Sequence, residues 1–367
     1  MRRMVPSAGF PNPARREAKK PRGSNRPAKT LIVCCDGTWN TPDQSAGPTN
    51  VTKIARAIRP FSVAGEPQIV HYDQGVGTGN MIDRLLGGAL GIGLDGKVQQ
   101  AYRFLALNYV PGDRIVLLGF SRGAFTVRSL AGLVGLIGLL RKGDLDRMPD
   151  IWTYYRTPPK DRDPTTIDPA WIDCRPDIDI VAVWDTVGSL GIPGSFMLTL
   201  SRSQYAFHDV TLSRKVKRAY QALAVDEFRE DFAPAIWDTT NRAPDQIVEQ
   251  RWFPGAHSNV GGGYTDSWLS DNALRWICDR LSDVVAFDKS YLKRRVKKLP
   301  KGKARGILID TWAGLFRLKP RFLRTIGKDP TECIDDSVYW RIRARTPFDF
   351  EPGPYAPRNI SEDQGLP

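Results

Sequence analysis

The sequence predicts an α/β fold with a mostly parallel central sheet and helices on both faces. Two observations carry that expectation. Short apolar runs rich in β-branched residues recur along the chain, and stretches of helical periodicity lie between several of them. Strands alternating with helices build parallel sheets that are buried on both sides. The runs are Leu31–Cys35, Gln68–Tyr72, Arg114–Gly119, Ile178–Trp184, Ala219–Val225 and Val248–Phe253. Among the helices, Asp95–Leu107 places Val98, Ala101, Tyr102, Leu105 and Ala106 on one face, and Arg122–Leu140 is long and apolar. Ser270–Leu281 opens with a capping residue at Ser270 or Asp271. The 367 residues, 41% of them hydrophobic, suffice for one large domain with insertions.

The net charge of +13 is concentrated in two places. Residues 1–29 carry a net +8 and residues 291–328 a net +12, which leaves the rest of the chain at −7. The first segment mixes Pro, Gly, Ser and basic residues without periodicity and reads as a disordered basic tail before a domain over 30–367. Residues 141–177 and 286–346 break the strand–helix rhythm and read as inserted cap or lid segments. The five cysteines form no CxxC pair, which argues for a reducing compartment and against a disulfide framework or a zinc site. The basic N-terminus has no apolar stretch behind it, and Leu130–Leu140 is too short to span a bilayer, so the expected location is cytoplasmic.

The chemistry points to Arg114–Ala124, which reads strand, Gly119-Phe-Ser121-Arg-Gly123, helix. A serine on a sharp strand-to-helix turn needs small residues two before and two after it, and Gly119 and Gly123 supply that room. This nucleophile elbow refines the fold class to an α/β-hydrolase fold. Ser121 is the candidate nucleophile, and the Arg122 backbone N–H is one candidate oxyanion donor. A serine hydroxyl requires a base. Of three histidines, His71 sits inside a strand and His208 in a polar helical or loop stretch. His257 follows the last of the predicted strands and precedes Gly261-Gly262-Gly263, where this fold places its base. The third member should be a strand-end carboxylate, and both Asp185 and Asp226 satisfy the pattern. Gly37 or Thr38, after the first strand, is the candidate second oxyanion donor. Gly75-Val-Gly77-Thr-Gly79 lacks the spacing of a dinucleotide loop and reads as a turn at the edge of the site.

Taken together, Cys35-Asp-Gly-Thr-Trp-Asn40, Gly119-Phe-Ser-Arg-Gly-Ala124, Trp184-Asp-Thr-Val-Gly188 and Trp252–Tyr264 resemble one family. It comprises largely uncharacterised α/β-hydrolases, of which the best known are phospholipase effectors of bacterial type VI secretion. The resemblance covers about residues 30–280 and extends to Pro354-Tyr-Ala-Pro-Arg-Asn359. It implies a Ser–Asp–His triad of Ser121, Asp185 and His257, and ester or phospholipid hydrolysis with no metal and no cofactor.

The expected function is therefore that of a serine esterase or lipase, possible phospholipids included among its ester or lipid substrates. The alternative is a non-catalytic binding protein on the same fold. Lys293-Arg-Arg-Val-Lys-Lys298, followed by Trp312–Leu318, Phe322 and Leu323, suggests peripheral contact of 291–328 with an anionic membrane. Nucleic acid is the less favoured partner because no recognition motif accompanies the charge.

Overall fold

The computed structural model describes residues 28–37, 47–75, 89–187, 211–345, 347–348 and 351–360. Thr38, Gly77, Gly79, His208 and most of the basic tail lie outside the described residues. The elements run β1 (Thr30–Cys35), α1 (Asn50–Ala57), β2 (Gln68–Asp73), α2 (Ala89–Asn108), β3 (Arg114–Phe120) and α3 (Arg122–Ile137). Next come β4 (Leu139–Leu140), α4 (Met148–Arg156), β5 (Ile172–Cys174), β6 (Ile178–Trp184), β7 (Val216–Ala224) and β8 (Ile247–Phe253). The last are α5 (His257–Gly261), α6 (Trp268–Leu281), α7 (Lys289–Arg295), β9 (Glu332–Ile334) and α8 (Asp336–Arg343), followed by the small pair β10 (Pro347–Phe348) and β11 (Glu351–Pro354).

Seven strands form the central sheet in the order β2-β1-β3-β6-β7-β8-β9, and every neighbouring pair is parallel. The two-residue side-chain period of a strand sorts their apolar residues onto two faces. Leu31, Val33, Ile115, Leu117, Val181 and Val183 join residues of α2 and α3 in one core cluster. Ile32, Cys34, Val116, Leu118, Ile180 and Ala182 join residues of α1 and α6 in another. This is an α/β-hydrolase arrangement, with helices on both faces. Strand order reverses between β1 and β3, and the carboxyl ends of strands at such a switch point open a crevice where ligands bind. Asp36 follows β1 and Ser121 follows β3, so both stand at that crevice.

Both expected cap segments take different places. Helix α3 ends at Ile137, three residues early, because Gly138 adopts φ 93° and a Cβ there would stand 2.5 Å from the Cys174 carbonyl oxygen. Leu139–Leu140 then pairs antiparallel with Ile172–Cys174. The 141–177 segment is thus rooted at the far end of α3, about 24 Å from Ser121 at 1.5 Å per residue. Its Met148, Ile151, Tyr154 and Tyr155 pack into the α2–α3 core. The 286–346 segment is no simple lid either, since it contributes β9 to the sheet through Gln250↔Glu332 and Trp252↔Ile334. Its Leu308 and Val338 pack with Leu223, Trp252 and Tyr355 in a third cluster.

Candidate active site

Sterics dictate the turn after β3. A Cβ at Gly119 would stand 2.7 Å from the Ala124 backbone, and one at Gly123 would stand 2.6 Å from the Asp36 carbonyl oxygen and nearer still to that of Cys35. Only glycine lets α3 leave the sheet so close to both β3 and β1. Ser121 pays for this with φ 57° and ψ −122°, a conformation costing on the order of 1–3 kcal/mol and concentrated at functional sites. It occupies the N-cap of α3, yet its side chain makes no capping hydrogen bond, so the hydroxyl is not spent on its own helix. The helix N-terminus presents backbone N–H groups and a positive dipole end beside it.

Asp185 lies directly after β6, the strand next to β3, and its backbone is strained as well, at φ 40°. Ser121, Asp185 and Arg345 are the non-glycine residues with positive φ among those described. The Ser121 N–H donates to the Trp184 carbonyl at 3.1 Å, which ties the elbow to the residue before Asp185. Asp185 is fully buried, and its Oδ2 lies 2.6 Å from His257 Nδ1. Oδ1 accepts the Ala224 N–H at 3.0 Å. Arg324 Nη1 donates to Oδ1 at 2.6 Å and Nη2 to Oδ2 at 2.9 Å. Burial pushes the Asp185 carboxyl upward, but the Arg324 charge and the hydrogen bonds from His257 and Arg324 together hold it well below the usual carboxylate range.

His257 is the first residue of α5, just beyond β8. Its ring lies between Phe120, with centroids 4.7 Å apart, and Phe232, edge-on at 5.1 Å. Gly261, four residues on, carries no side chain because a Cβ there would run into the Phe120 ring. The His257 N–H donates to Glu227 Oε2 at 3.2 Å. Glu227 also accepts from Thr311 Oγ1 at 2.8 Å and pairs with Arg229 at 2.8 Å. Burial raises the Glu227 carboxyl, and the bonds and charge of Arg229 outweigh it, leaving Glu227 ionised below its ordinary range.

The two strand-end acids therefore part company. Asp226, after β7, accepts the Gly255 N–H at 2.6 Å and the Tyr355 hydroxyl at 2.9 Å, and does not bond the imidazole. Burial raises it to about 6. It anchors the loop that leads into His257. At Gly37 the N–H donates to Oδ1 of the adjacent Asp36 at 2.6 Å, which engages the expected oxyanion donor. Asp36 Oδ2 takes Thr49, Thr52 and Tyr72 hydroxyls and so stiffens that corner. Arg122 lies at the first position of α3, and burial lowers its guanidinium to about 10. His71 stacks on Phe104 at 4.9 Å on β2, away from the elbow. Arg324, Glu227 and Phe232 carry no sequence signal of their own. Arg324 is one cation in a basic run, and only Tyr355 and Asn359 belonged to a recognised motif.

Over residues 29–280 the chain matches the family model for the T6SS phospholipase effector Tle1-like catalytic domain. It is 32% identical over 152 residues to the uncharacterized protein YEL023C of Saccharomyces cerevisiae, covering 37% of this chain and 21% of that protein. Among solved structures it is similar to the Tle1 effector bound to the VgrG spike of the type 6 secretion system, at 21% identity and a TM-score of 0.39, over 66% of this chain and 52% of that one. An uncharacterized protein from Pseudomonas aeruginosa is 18% identical, with a TM-score of 0.42, over 69% of this chain and 45% of that one. Esterase 2 of Thermogutta terrifontis is 14% identical, with a TM-score of 0.36, over 71% of this chain and 84% of that one. The chain spans about a fifth of the yeast protein and about half of the first two structures. Since the family model takes in more than half of its length, elbow and histidine loop included, the chain belongs to the Tle1-like phospholipase effector catalytic-domain family.

Proposed function

We propose that this chain is a serine hydrolase that cleaves carboxylic esters, phospholipids among them, through an acyl-enzyme on Ser121. The observation that carries the reading is the meeting of two strained strand ends: an uncapped elbow serine after β3, and the Asp185–His257 pair after β6 and β8. His257 takes the serine proton at Nε2 as the hydroxyl attacks the ester carbonyl, while Asp185 holds Nδ1–H and balances the imidazolium. The Arg122 N–H and the α3 dipole stabilise the oxyanion. The alcohol leaves with the proton from His257, and water, activated by the same base, releases the acid. Nucleophile, base and charge all come from side chains, so this sequence of steps calls for no metal.

Labelling with a fluorophosphonate tests the reading. The wild type should label, Ser121→Ala and His257→Ala should not, and hydrolysis of a short-chain ester should follow the same pattern. A Ser121→Ala protein that keeps wild-type esterase activity refutes it. A folded wild type that stays unlabelled, with or without vesicles, moves the weight to a binding protein.

Peripheral contact with an anionic bilayer is the partner we assign to the basic segment. No helix among the described residues is long and apolar enough to cross a membrane. Ile307, Leu318 (83% exposed) and Leu323 stand out to solvent in a stretch that also carries Lys301, Lys303, Arg305, Arg317, Lys319 and Arg321. Exposed apolar side chains among cations suit the headgroup–acyl boundary. The stretch runs beside the histidine loop, since Asn259 Nδ2 donates to the Ile307 carbonyl at 3.0 Å and the Phe322 N–H to that of Phe228 at 2.9 Å. Co-sedimentation with phosphatidylglycerol but not phosphatidylcholine vesicles, weakened by salt and by Leu318→Asp, is the expected result. Equal binding to both lipids removes the assignment.

A further inference from the structure

We infer that Arg324 is a positioning residue of this site: its guanidinium grips both oxygens of Asp185, so the acid is aligned only when the chain beyond residue 307 is docked. The inference rests on reading Asp185 as the triad acid. Arg324 and Asp185 are both fully buried. Nη1 spans Asp185 Oδ1 and the Ala224 carbonyl, at 2.6 and 2.9 Å, while Nη2 spans Oδ2 and the Phe232 carbonyl, at 2.9 and 2.7 Å. A planar fork meeting two oxygens fixes the rotation of the carboxylate, which a point charge cannot do. That rotation aims Oδ2 at His257 Nδ1.

The arginine is itself held by its segment. Its carbonyl accepts from Asn359 Nδ2 at 3.2 Å, and Phe322, two residues earlier, bonds the Phe228 carbonyl. Downstream, β9 joins the sheet beside β8, the strand that delivers His257. The clamp thus reaches Asp185 from 139 residues away in sequence.

The groups that face Asp185 are Arg324, His257 and the Ala224 N–H. Glu227, neutralised by Arg229, lies on the His257 backbone, and Asp226 with Tyr355 and Arg341 lies beyond. Burial alone would favour a protonated Asp185, and Arg324 is the leading influence against it. A protonated acid cannot balance an imidazolium, so loss of the positive charge at 324 should narrow the active range from its acidic side.

The test uses the full chain with Arg324→Gln and Arg324→Lys, measuring kcat/KM for a water-soluble short-chain ester from pH 4.5 to 9, beside thermal unfolding. Arg324→Gln should move the acidic limb upward by about one pH unit and lower the plateau at least about tenfold. Arg324→Lys should keep the limb where it is, because the charge remains, and lose plateau rate because one ammonium cannot span both oxygens. A merely structural arginine would lower the unfolding temperature and leave the limb in place. A wild-type limb and plateau in Arg324→Gln overturns the inference. Should that variant fail to fold, a wild-type plateau in Arg324→Lys overturns it just as well. The two readings fail separately: an active Ser121→Ala removes the triad, whereas an inert Ser121→Ala beside an unchanged Arg324→Gln profile removes only the clamp.

Discussion

Gly123→Ala is the sharpest test of the elbow, because one methyl group should damage catalysis without touching a reacting atom. The added Cβ would stand 2.6 Å from the Asp36 carbonyl oxygen and nearer still to that of Cys35, against an ordinary contact of about 3.5 Å. The obstacles are backbone atoms of β1, so no side chain can swing aside, and α3 must retreat by about 1 Å. Overpacking of this kind costs about 1–3 kcal/mol. At roughly 2–4 °C per kcal/mol for a domain of this size, the unfolding temperature should fall by about 5 °C. Ser121 sits at the N-cap of the displaced helix, and a misplacement of about 1 Å costs on the order of 100-fold in rate. The assay is kcat for a soluble p-nitrophenyl ester together with calorimetry. The control is Gly143→Ala, in the segment rooted at the far end of α3, where an added Cβ meets nothing within 4 Å. A Gly123→Ala protein within threefold of the wild-type rate, with an unchanged unfolding temperature, would refute the steric account of the elbow.

Three further outcomes follow from the same geometry. Asp185→Asn should lower kcat by about 10⁴-fold through the wrong imidazole tautomer, whereas Asp226→Asn, which makes no bond to the ring, should cost less than tenfold; equal losses in a steady-state assay would dissolve the distinction between the two acids. Asp226 also carries a signed pH effect. Its carboxyl is raised to about 6 by burial, so the folded state binds its proton more tightly than the unfolded state does, and stability present at pH 4 is lost as pH rises through 6. Denaturant melts at pH 4.5 and 7.5 should show wild type losing about 2 kcal/mol relative to Asp226→Asn over that window, and a parallel pair of curves would count against it. Gly138→Ala, where φ is 93° and the Cys174 carbonyl lies in the way, should cost about 1–3 kcal/mol of stability yet leave kcat within twofold, which separates the far end of α3 from the site.

The strands β1, β3, β6 and the second half of β7 were legible because each is a short apolar run whose burial on both sides leaves a direct mark on composition, whereas β2 and β8 showed through their β-branched and aromatic residues. The strand β9 was not, since its Glu-Cys-Ile has no apolar run to betray it and its place at the sheet edge asks for none. The end of α3 was misread for a related reason: Leu139 and Leu140 continue the helix's apolar character, and only the positive φ of Gly138 turns them into β4. The 141–177 segment looked like a cap because Pro, Asp and Arg interrupt the rhythm, although Met148, Ile151, Tyr154 and Tyr155 recur at helical spacing and pack into the core.

Within the site, neighbouring residues suffice to specify what is local: a strand, two obligatory glycines flanking Ser121, and a glycine-rich loop after His257. Each constrains only a few adjacent residues, so each is written in adjacent letters. Residue pattern left Asp185 and Asp226 level, the family resemblance pointed to Asp185, and the structure puts Asp185 rather than Asp226 in contact with the imidazole. Both close parallel strands of one sheet, and local pattern cannot say which way the loop from Phe253 to His257 turns the imidazole. Asp226 is drawn to Gly255 and Tyr355, and Asp185 to His257, Ala224 and Arg324. Those partners come from β7, the histidine loop and the last fifth of the chain. Their meeting depends on the whole sheet closing, because the energy that orients a buried carboxylate comes from donors that no stretch of neighbouring residues contains.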